Sequence, residues 1–380
     1  MNRTAWLAAA GAAAITVSAL VPATSYAATP AARQPASPAG AVFVPTDATT
    51  GNAVAVYDRG ADGTLQAAGT YPTGGLGGIL TGSQVDHLAS QGSLAYDRGH
   101  GLLYAVNAGS NTVTVFSVNG DHLVRRQVIS SGGTFPVSIA FHGNLVYVLN
   151  ARDGGAVQGF LRIGAALVKI PSWNRSLGLD PSETPEFTHT PGQIAFTPDG
   201  SGLIITTKGN GNDIDVFRVT GPGGLAAAPA VTADPGNVPF GVTFDAGGHL
   251  LIAEAGDDAV AAYTVNRNET LTLTGRVFTS QAATCWLAPD GPVFYASNAG
   301  SDTLSGYRDT GSGQLRALGT TSTDAGTIDA SSSPDGRYLY VRAGAQGIVD
   351  EYRAGPGGAL TQIGSVTVPA AAGGEGIAVS

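Results

Sequence analysis

Two histidines are placed where acid–base chemistry could occur. His87 and His189 fall in the two longest stretches that lack a strand pattern, residues 72–91 and 171–191. Long loops on a rigid scaffold carry function more often than short ones. The other four histidines fall in short polar turns and are interpreted as solvated turn residues: His100, His122, His142 and His249. We therefore take His189 and His87 as candidate general bases.

A second set of polar side chains falls where the second strand of each predicted four-stranded unit ends. It comprises Asp47, Asn107, Asn150, Thr207 with Lys208, Glu254, Asn298 and Arg342. Such groups around a concave mouth suit an oxygen-rich, anionic small ligand. Glu254 is a third catalytic candidate, and Lys208 or Arg342 could bind a carboxylate or stabilise an oxyanion. The alternative is that the asparagines bond their own turns and the charges are solvated at a rim.

These residues converge only if a repeated unit arranges them in a ring. Residues 93–136 show the unit, in which apolar runs rich in Val, Leu, Tyr and Phe alternate with Gly/Asn/Asp turns. That pattern predicts four antiparallel strands joined by hairpins. The third strand of each unit ends at an aromatic residue: Tyr57, Phe116, Phe160, Phe217, Tyr263, Tyr307 and Tyr352. Their spacing is about 45 residues, except across the two long stretches, where it is about 60.

Seven such units predict an all-β fold, a seven-bladed β-propeller of four-stranded antiparallel blades. The first unit lacks an inner strand, because Val42-Phe43-Val44 aligns with the second strands of the others. The C-terminal residues 376–380 resemble the inner strands near residues 138–141 and 193–196. We therefore predict that the last strand pairs into the first blade and closes the ring.

The first 27 residues have the pattern of a secretory signal peptide, with one basic residue, an apolar centre and a small-residue end. They are too short and too rich in small residues to favour a membrane span. Cleavage after Ala27 would make the protein secreted. Residues 28–40 contain three prolines and predict an extended tether. Residues 41–380 then form one propeller domain, which we expect to be a monomer.

The charge balance limits the partners. The chain has a formal net charge of −9, and loss of Arg3 with the signal peptide makes it one unit more negative. This argues against nucleic acid or an anionic membrane as a partner. The single cysteine, Cys285, precludes an intramolecular disulfide, so closure of the ring must supply stability.

Several familiar chemistries lack their motifs. No Gly-x-Ser-x-Gly elbow, Walker loop, His-Glu-x-x-His or Cys-x-x-Cys occurs. Cys285 precedes Trp286 in a predicted inner strand, and we interpret it as a buried packing residue. No cofactor or metal is expected. The one ion that Glu254 and the asparagines would suit is calcium, which prefers oxygen ligands.

The segments Leu103-Tyr104-Ala105-Val106-Asn107 and Ile194-Ala195-Phe196-Thr197-Pro198-Asp199-Gly200 carry a family resemblance. Residues 41–380 resemble the seven-bladed propeller lactonases, which include 6-phosphogluconolactonase-type and 3-carboxymuconate-cyclase-like members, and the related YVTN-type surface repeats. Members with that activity tend to show Pro-Arg-His before the inner-strand Phe and Asn-Glu at the end of the next strand. Here those frames read Pro191-Gly192-Gln193 and Thr206-Thr207-Lys208. Gln193 therefore joins the candidate substrate-binding residues.

Two functions follow from different classes. The resemblance implies a secreted hydrolase or cyclase that acts on a small lactone or organic acid at the mouth of the central channel. The absence of the family's Arg, His and Glu at the matching positions favours the alternative, a non-catalytic extracellular propeller. That module would bind a small molecule, a polymer or a protein through the same mouth.

Overall fold

The computed structural model describes residues 39–380, in which the chain forms seven antiparallel sheets. Blade 1 receives β1 (Gly40–Pro45), β2 (Ala53–Arg59) and β3 (Leu65–Pro72). Blade 2 contains β4 (Leu94–Asp97), β5 (Leu102–Asn107), β6 (Thr112–Asn119) and β7 (His122–Ser130). Blade 3 contains β8 (Pro136–His142), β9 (Leu145–Asn150), β10 (Ala156–Ile163) and β11 (Ala166–Ser176).

The helix α1 (Glu186–His189) precedes blade 4. Blade 4 contains β12 (Ile194–Phe196), β13 (Gly202–Thr206), β14 (Asp213–Thr220), β15 (Gly224–Leu225) and β16 (Ala230–Ala233). Blade 5 contains β17 (Pro239–Phe244), β18 (Leu250–Glu254), β19 (Ala259–Val265) and β20 (Leu271–Phe278). Blade 6 contains β21 (Thr284–Asp290), β22 (Val293–Asn298), β23 (Thr303–Asp309) and β24 (Leu315–Ser322). Blade 7 contains β25 (Thr327–Ser332), β26 (Tyr338–Ala343), β27 (Ile348–Ala354) and β28 (Leu360–Thr367). The last strand is β29 (Ala378–Val379).

Closure by the C-terminal strand is confirmed. β29 pairs antiparallel with β1, with Val379 opposite Val42 and Ala378 opposite Phe43. The amide of Ser380 also donates to the carbonyl of Ala41 at 2.8 Å. The inner strands β29, β4, β8, β12, β17, β21 and β25 each contact the next around the ring. The predicted seven-bladed propeller is therefore the observed fold.

Burial between blades explains the aromatic period. The seven third-strand aromatics are all buried, none more than 4% exposed. A second series of tyrosines joins each of three blades to the next one around the ring. The hydroxyls of Tyr147, Tyr295 and Tyr340 donate to the carbonyls of Gly223, Gly358 and Gly63 at 2.7, 3.0 and 2.7 Å. Each acceptor lies in the outermost hairpin turn of the neighbouring blade, so the repeat fixes the angle between blades.

The first long stretch enters the centre of the ring. We call residues 86–93 the central segment. Gln91 accepts from the amide of Leu287 in blade 6 and donates to its carbonyl, at 3.1 and 2.7 Å. On the opposite side, the hydroxyls of Ser90 and Ser138 join the segment to blade 3. The upper end of the channel, on the face that carries the connections between blades, is therefore occupied by the chain itself.

The second long stretch differs from the prediction of a loop over residues 171–191. Its first six residues, Pro171–Ser176, extend β11, because Trp173 is buried and stacks on Tyr147 with ring centroids 6.3 Å apart. The loop proper begins after Ser176 and contains α1. The sequence does not indicate this strand, because an outer strand buries only some of its side chains and the exposed ones are polar.

Residues 1–27, the predicted signal peptide, and residues 28–38 of the predicted tether lie outside the described residues. Gly40, the last residue of that tether, begins β1. Across residues 39–380, no helix has the length and apolar character needed to cross a membrane.

Candidate functional site

A cavity of about 440 Å³ opens on the upper face beside the central segment. Blades 4, 5 and 6 form one side of it, and the two long stretches form the other. Phe240 and Cys285 lie in β-bulges at the start of β17 and β21, where the pairing register shifts. Bulges re-aim side chains and are frequent beside functional sites. Here they turn both side chains towards the cavity.

Most of the cavity wall is apolar. Val85, Phe187, Val238 and Trp286 line it together with Phe240, and small alanine side chains complete it. The indole of Trp286 packs edge-on against Phe240, with centroids 5.0 Å apart, and its Nε1 donates to the carbonyl of Ser90 at 2.7 Å. The polar lining side chains are few: Gln84, Asp86, Thr188, His189 and Lys208. A mostly apolar, concave site with a few polar groups is typical of small-molecule binding.

Lys208 holds both long stretches in place. Its Nζ donates to the carbonyls of Ala89 and Phe187, both at 2.6 Å, and to the hydroxyl of Thr190 at 2.9 Å. The ammonium also lies 5.3 Å from the ring centroid of Phe240. Burial lowers the pKa of Lys208 to about 7, against the stabilising charge of Asp86. All three ammonium hydrogens are therefore engaged. Lys208 can act on a ligand in the cavity through its positive charge, but it has no free hydrogen to donate.

The position of Lys208 stands out within the internal repeat. The residue that follows the second strand end is alanine in the other six blades: Ala48, Ala108, Ala151, Ala255, Ala299 and Ala343. A repeated hydrogen bond supports the structural equivalence of these positions. The amide of the glycine that follows the position donates to a main-chain carbonyl in the connection that leads into the same blade. Gly209, Gly256 and Gly300 make this bond at 2.9, 2.8 and 2.9 Å. Blade 4 thus carries a buried lysine at the position where each of the other six blades carries alanine.

Asp86 balances the charge of Lys208. Its carboxylate accepts from the amides of Leu88 and Ser90 at 2.8 and 2.9 Å. These two bonds hold the first turn of the central segment. Burial raises the pKa of Asp86 to about 6, while these bonds and the charge of Lys208 favour its ionised form. The sequence offered no local signal for this pair, because an aspartate in a glycine-rich loop normally indicates a solvated turn.

His189 is the candidate base that faces the cavity. Its Nδ1 lies 2.8 Å from the carbonyl oxygen of Pro185, which can only accept a hydrogen bond, and 3.0 Å from the hydroxyl of Thr188. Nδ1 must therefore carry the proton in the neutral ring, which leaves the lone pair on Nε2. The Glu183 carboxylate lies 4.0 Å from Nε2 and lines a smaller neighbouring cavity that His189 also borders. This is the tautomer that a general base requires.

His87 and Glu254 are not among the residues that line the cavity. The ring of His87 covers Gly373, where a Cβ atom would lie 2.1 Å from Nε2, and partial burial lowers the pKa of His87. Glu254 is fully buried within blade 5, where it accepts from Tyr263 at 3.1 Å and from Arg276 at 2.8 Å. Burial raises its pKa to about 7 even so. Both residues therefore have structural partners away from the cavity.

The predicted binding residues other than Lys208 also have structural roles. Asn107, Asn150 and Asn298 bond to their own blade or its neighbour, chiefly to threonine hydroxyls and main-chain carbonyls. Gln193 accepts from the amide of Val242 at 2.6 Å. Arg342 is fully buried and donates to main-chain carbonyls near the C-terminus. The asparagines thus bond mainly to the adjacent strand of their blade rather than to their own turns, and Lys208, Glu254 and Arg342 are buried rather than solvated at a rim. No set of three or more His, Cys, Asp or Glu within residues 39–380 is placed to hold a metal.

A group of buried carboxyls lies beneath the upper face, and sequence reasoning missed it. Glu375 accepts from the amides of Gly92 and Ser93 at 3.0 and 3.1 Å, and the negative charge of nearby Asp329 adds to burial in raising the pKa of Glu375. Asp329 in turn accepts from Gln91 at 3.2 Å. Two carboxyls in contact can share one proton but cannot both ionise cheaply. They connect the central segment to blade 7 and to residues 371–376, which precede β29 and which we call the closing segment.

The free energy of unfolding should be higher near pH 5 than near pH 8. Burial raises the pKa of Asp47 to about 7, that of Asp86 to about 6 and that of Asp329 to about 7, and it raises the pKa of Glu375. An ordinary carboxyl group has a pKa of about 4. At pH values between about 4 and these raised pKa values, the folded protein keeps protons that the unfolded chain releases. Stability therefore falls as pH rises through this window. Urea unfolding at a series of pH values from 5 to 8 measures this change in the free energy of unfolding.

Asp329→Asn is the matched variant for this test. An asparagine imitates the protonated acid, because its amide can donate to Glu375 while its oxygen accepts from Gln91. We expect the variant to match the parent protein near pH 5 and to lose less stability by pH 8. A parent protein whose stability is constant or rises from pH 5 to 8 would contradict the assignment of these buried acids.

Cys285 is a packing residue in the cavity wall. Its side chain is buried in a cluster with Phe240, Trp286 and Ile328. Burial raises the pKa of Cys285 to about 12, so the thiol remains protonated at neutral pH. Since the thiolate is the nucleophilic form, this environment suits packing better than nucleophilic catalysis.

The fold and the cavity together define a seven-bladed β-propeller with a lined site on its upper face. No protein-family model and no curated protein matches the sequence. Solved structures do match. A periplasmic gluconolactonase from Pseudomonas aeruginosa has a TM-score of 0.70 at 18% identity, with 90% of this chain and 98% of that one covered.

Two further solved structures match equally well. A Lactobacillus plantarum protein has a TM-score of 0.70 at 20% identity, covering 90% of this chain and 99% of its own. A Bacteroides fragilis protein, provisionally named a 6-phosphogluconolactonase, has a TM-score of 0.69 at 17% identity, covering 90% and 98%. At these identities the likeness establishes the fold. The predicted resemblance to the propeller lactonases is confirmed at that level.

Proposed function

We propose that the protein is a lactone-acting enzyme whose reaction takes place in the upper-face cavity, with His189 as the general base. The observation that carries the proposal is the fixed tautomer of His189, whose Nδ1 is held by the Pro185 carbonyl at 2.8 Å. Nε2 therefore carries the lone pair of the neutral ring, and His189 is one of the few polar residues that line this mainly apolar cavity. The names of the structural neighbours support this class of substrate, since one is a gluconolactonase.

The reaction requires few groups. Water adds to the carbonyl carbon of the lactone as its proton passes to Nε2 of His189. The ring C–O bond then breaks, and the leaving alkoxide oxygen takes the proton back to give a hydroxy acid. The buried charge of Lys208 lies at the wall, where a low dielectric strengthens its stabilisation of the developing oxyanion. The run from Glu183 to Thr190 supplies the base, its hydrogen-bond acceptor and its neighbouring carboxylate.

Purified protein should release acid from at least one member of a panel of aldono-, muconolactone and homoserine lactones. We expect His189→Ala to lower kcat by a factor of about 100 to 10,000, the usual contribution of a general base. Acid release at constant pH is the measurement. His122→Ala is the matched control, because the His122 side chain is 73% exposed on the opposite face. No turnover by the parent protein, or full turnover by His189→Ala, would contradict the proposal.

We also propose that the protein is exported and its leader is removed near Ala27, as the pattern of the first 27 residues predicts. The P. aeruginosa neighbour is described as periplasmic. Mass spectrometry of the secreted protein would give the mature N-terminus, and an intact Met1 in exported material would contradict cleavage.

A further inference from the structure

We propose that the cavity binds a lactone that carries an apolar acyl or aromatic substituent and excludes phosphorylated sugar lactones. The proposal rests on the lactone chemistry proposed above for the reacting ring. The class of substituent follows from the cavity wall alone. It departs from the provisional 6-phosphogluconolactonase name of one neighbour.

The wall offers apolar surface to a substituent. Phe187, Phe240 and Trp286 supply aromatic faces and edges, and Val85 and Val238 supply branched aliphatic groups. Burial of such surface is the main favourable term in binding an apolar ligand. A volume of about 440 Å³ lies within the range of small-molecule sites. The cavity therefore has room for a ring and an attached chain.

Small side chains create the space between the aromatic residues. Ala255 and Ala299 line the cavity at the repeat position that Lys208 occupies in blade 4, and Ala283 lines it from the connection before β21. Alanine there leaves the volume open without adding a polar group. Substituents that extend towards blades 5 and 6 meet only apolar atoms from these three residues.

The wall offers few groups to a phosphoryl group, and none of the lining residues is a cation with a free hydrogen. Lys208, the cation among the lining residues, already donates all three of its hydrogens to Ala89, Phe187 and Thr190. Arg152, which lies near α1, is engaged by Glu186 at 2.6 and 3.1 Å. A phosphate dianion would lose its hydration and gain few donors, with no unengaged cation to balance its charge, at a large cost. The net charge of −9 further opposes its approach.

Trp286 gives a direct readout of occupancy. The chain contains three tryptophans, Trp6, Trp173 and Trp286. Of the two that fall within residues 39–380, Trp286 lines the cavity and Trp173 does not. In a Trp6→Phe/Trp173→Phe protein, the emission of Trp286 should change when a ligand displaces water from the wall. The titration uses γ-lactams with butanoyl, hexanoyl or octanoyl chains, which imitate the lactone ring and hydrolyse far more slowly. 6-Phosphogluconate is the phosphorylated comparison.

We expect saturable changes in emission, with affinity rising about three- to fourfold for each added methylene group. Ala299→Phe should abolish binding of the octanoyl lactam, because the new ring fills the wall. Ala68→Phe, at an exposed position on outer strand β3, should leave binding unchanged. We expect no response to 6-phosphogluconate at millimolar concentration. Tighter binding of 6-phosphogluconate than of any lactam, or affinity independent of chain length, would overturn the proposal.

The two proposals fail separately. Chain-length-dependent lactam binding without turnover of any lactone would support the ligand class and contradict the enzymatic function. Turnover of lactones with a preference for the phosphorylated sugar would support the function and contradict the ligand class.

Discussion

Removal of residues 376–380 is expected to lower the free energy of unfolding by about 4–6 kcal/mol. The deletion exposes the contact surface of Ile377 and Val379, each 5% exposed in the intact protein. Burial of one aliphatic side chain contributes about 1.5–3 kcal/mol. It also removes the main-chain pairing between β29 and β1 and leaves the edge of blade 1 open. Urea unfolding followed by the emission of Trp173 and Trp286 measures the loss.

A variant that keeps the strand separates the two contributions. Ile377→Ser/Val379→Ser retains the main-chain bonds to β1 and loses only the burial of two side chains, so its stability should fall between those of the parent and the deletion. Size-exclusion chromatography would then report whether the open edge of the truncated protein pairs with another copy. An unchanged unfolding midpoint after deletion would mean that the last strand does not close the ring.

The ring and its closure could be predicted because both are encoded in local, repeated patterns. A buried aromatic lies two or three residues before the end of each third strand, and the hairpin turns carry Pro-Asp-Gly or glycine. The last residues follow the same alternation as the inner strands. Each blade buries its neighbours' faces, so identical local rules produce the global arrangement. The repeat made the count of blades predictable from sequence alone.

The site was only partly predictable. His189 and Lys208 do line the cavity, because connections between blades share one face of a propeller. The asparagines were placed at a mouth, although Asn107 and Asn298 each have two threonine or serine hydroxyls as partners in the next strand. The decisive missing element was the path of residues 86–93 into the channel, which depends on bonds to five different blades and has no local pattern.

The sequence does carry one signal for Lys208. A lysine at the position where six other blades carry alanine breaks the repeat, and such a break marks residues that the scaffold does not require. The buried acids gave no comparable signal, since Asp86 and Glu375 lie in glycine-rich connections that normally indicate solvent exposure. Their burial results from the contact between the central segment and the closing segment, in which Gly92 and Glu375 are 283 residues apart in the chain.

Arg342→Met is expected to lower the free energy of unfolding by about 3–5 kcal/mol at pH 7.5, the usual cost of removing one partner of a buried charge group. Arg342 is 0% exposed and donates to the carbonyls of Pro45, Ala371, Gly374 and Gly376 at 3.0, 3.1, 2.5 and 3.4 Å. These bonds join blade 7 to both ends of the closing segment. Its charge also stabilises the buried carboxylates of Asp47, Glu375, Asp329 and Asp86.

The pH dependence distinguishes the charge from the packing of Arg342. Near pH 5 the neighbouring acids can bind protons, so Arg342→Met should lose less stability there than at pH 7.5. Arg342→Lys keeps the charge but cannot reach four carbonyls, and it should be intermediate at both pH values. Arg337→Met is the matched control, because the Arg337 side chain is 64% exposed and 3.9 Å from Asp335, and its loss should stay below about 0.5 kcal/mol. Equal losses for Arg342→Met at the two pH values would show that packing alone accounts for its role, and that the buried acids do not depend on its charge.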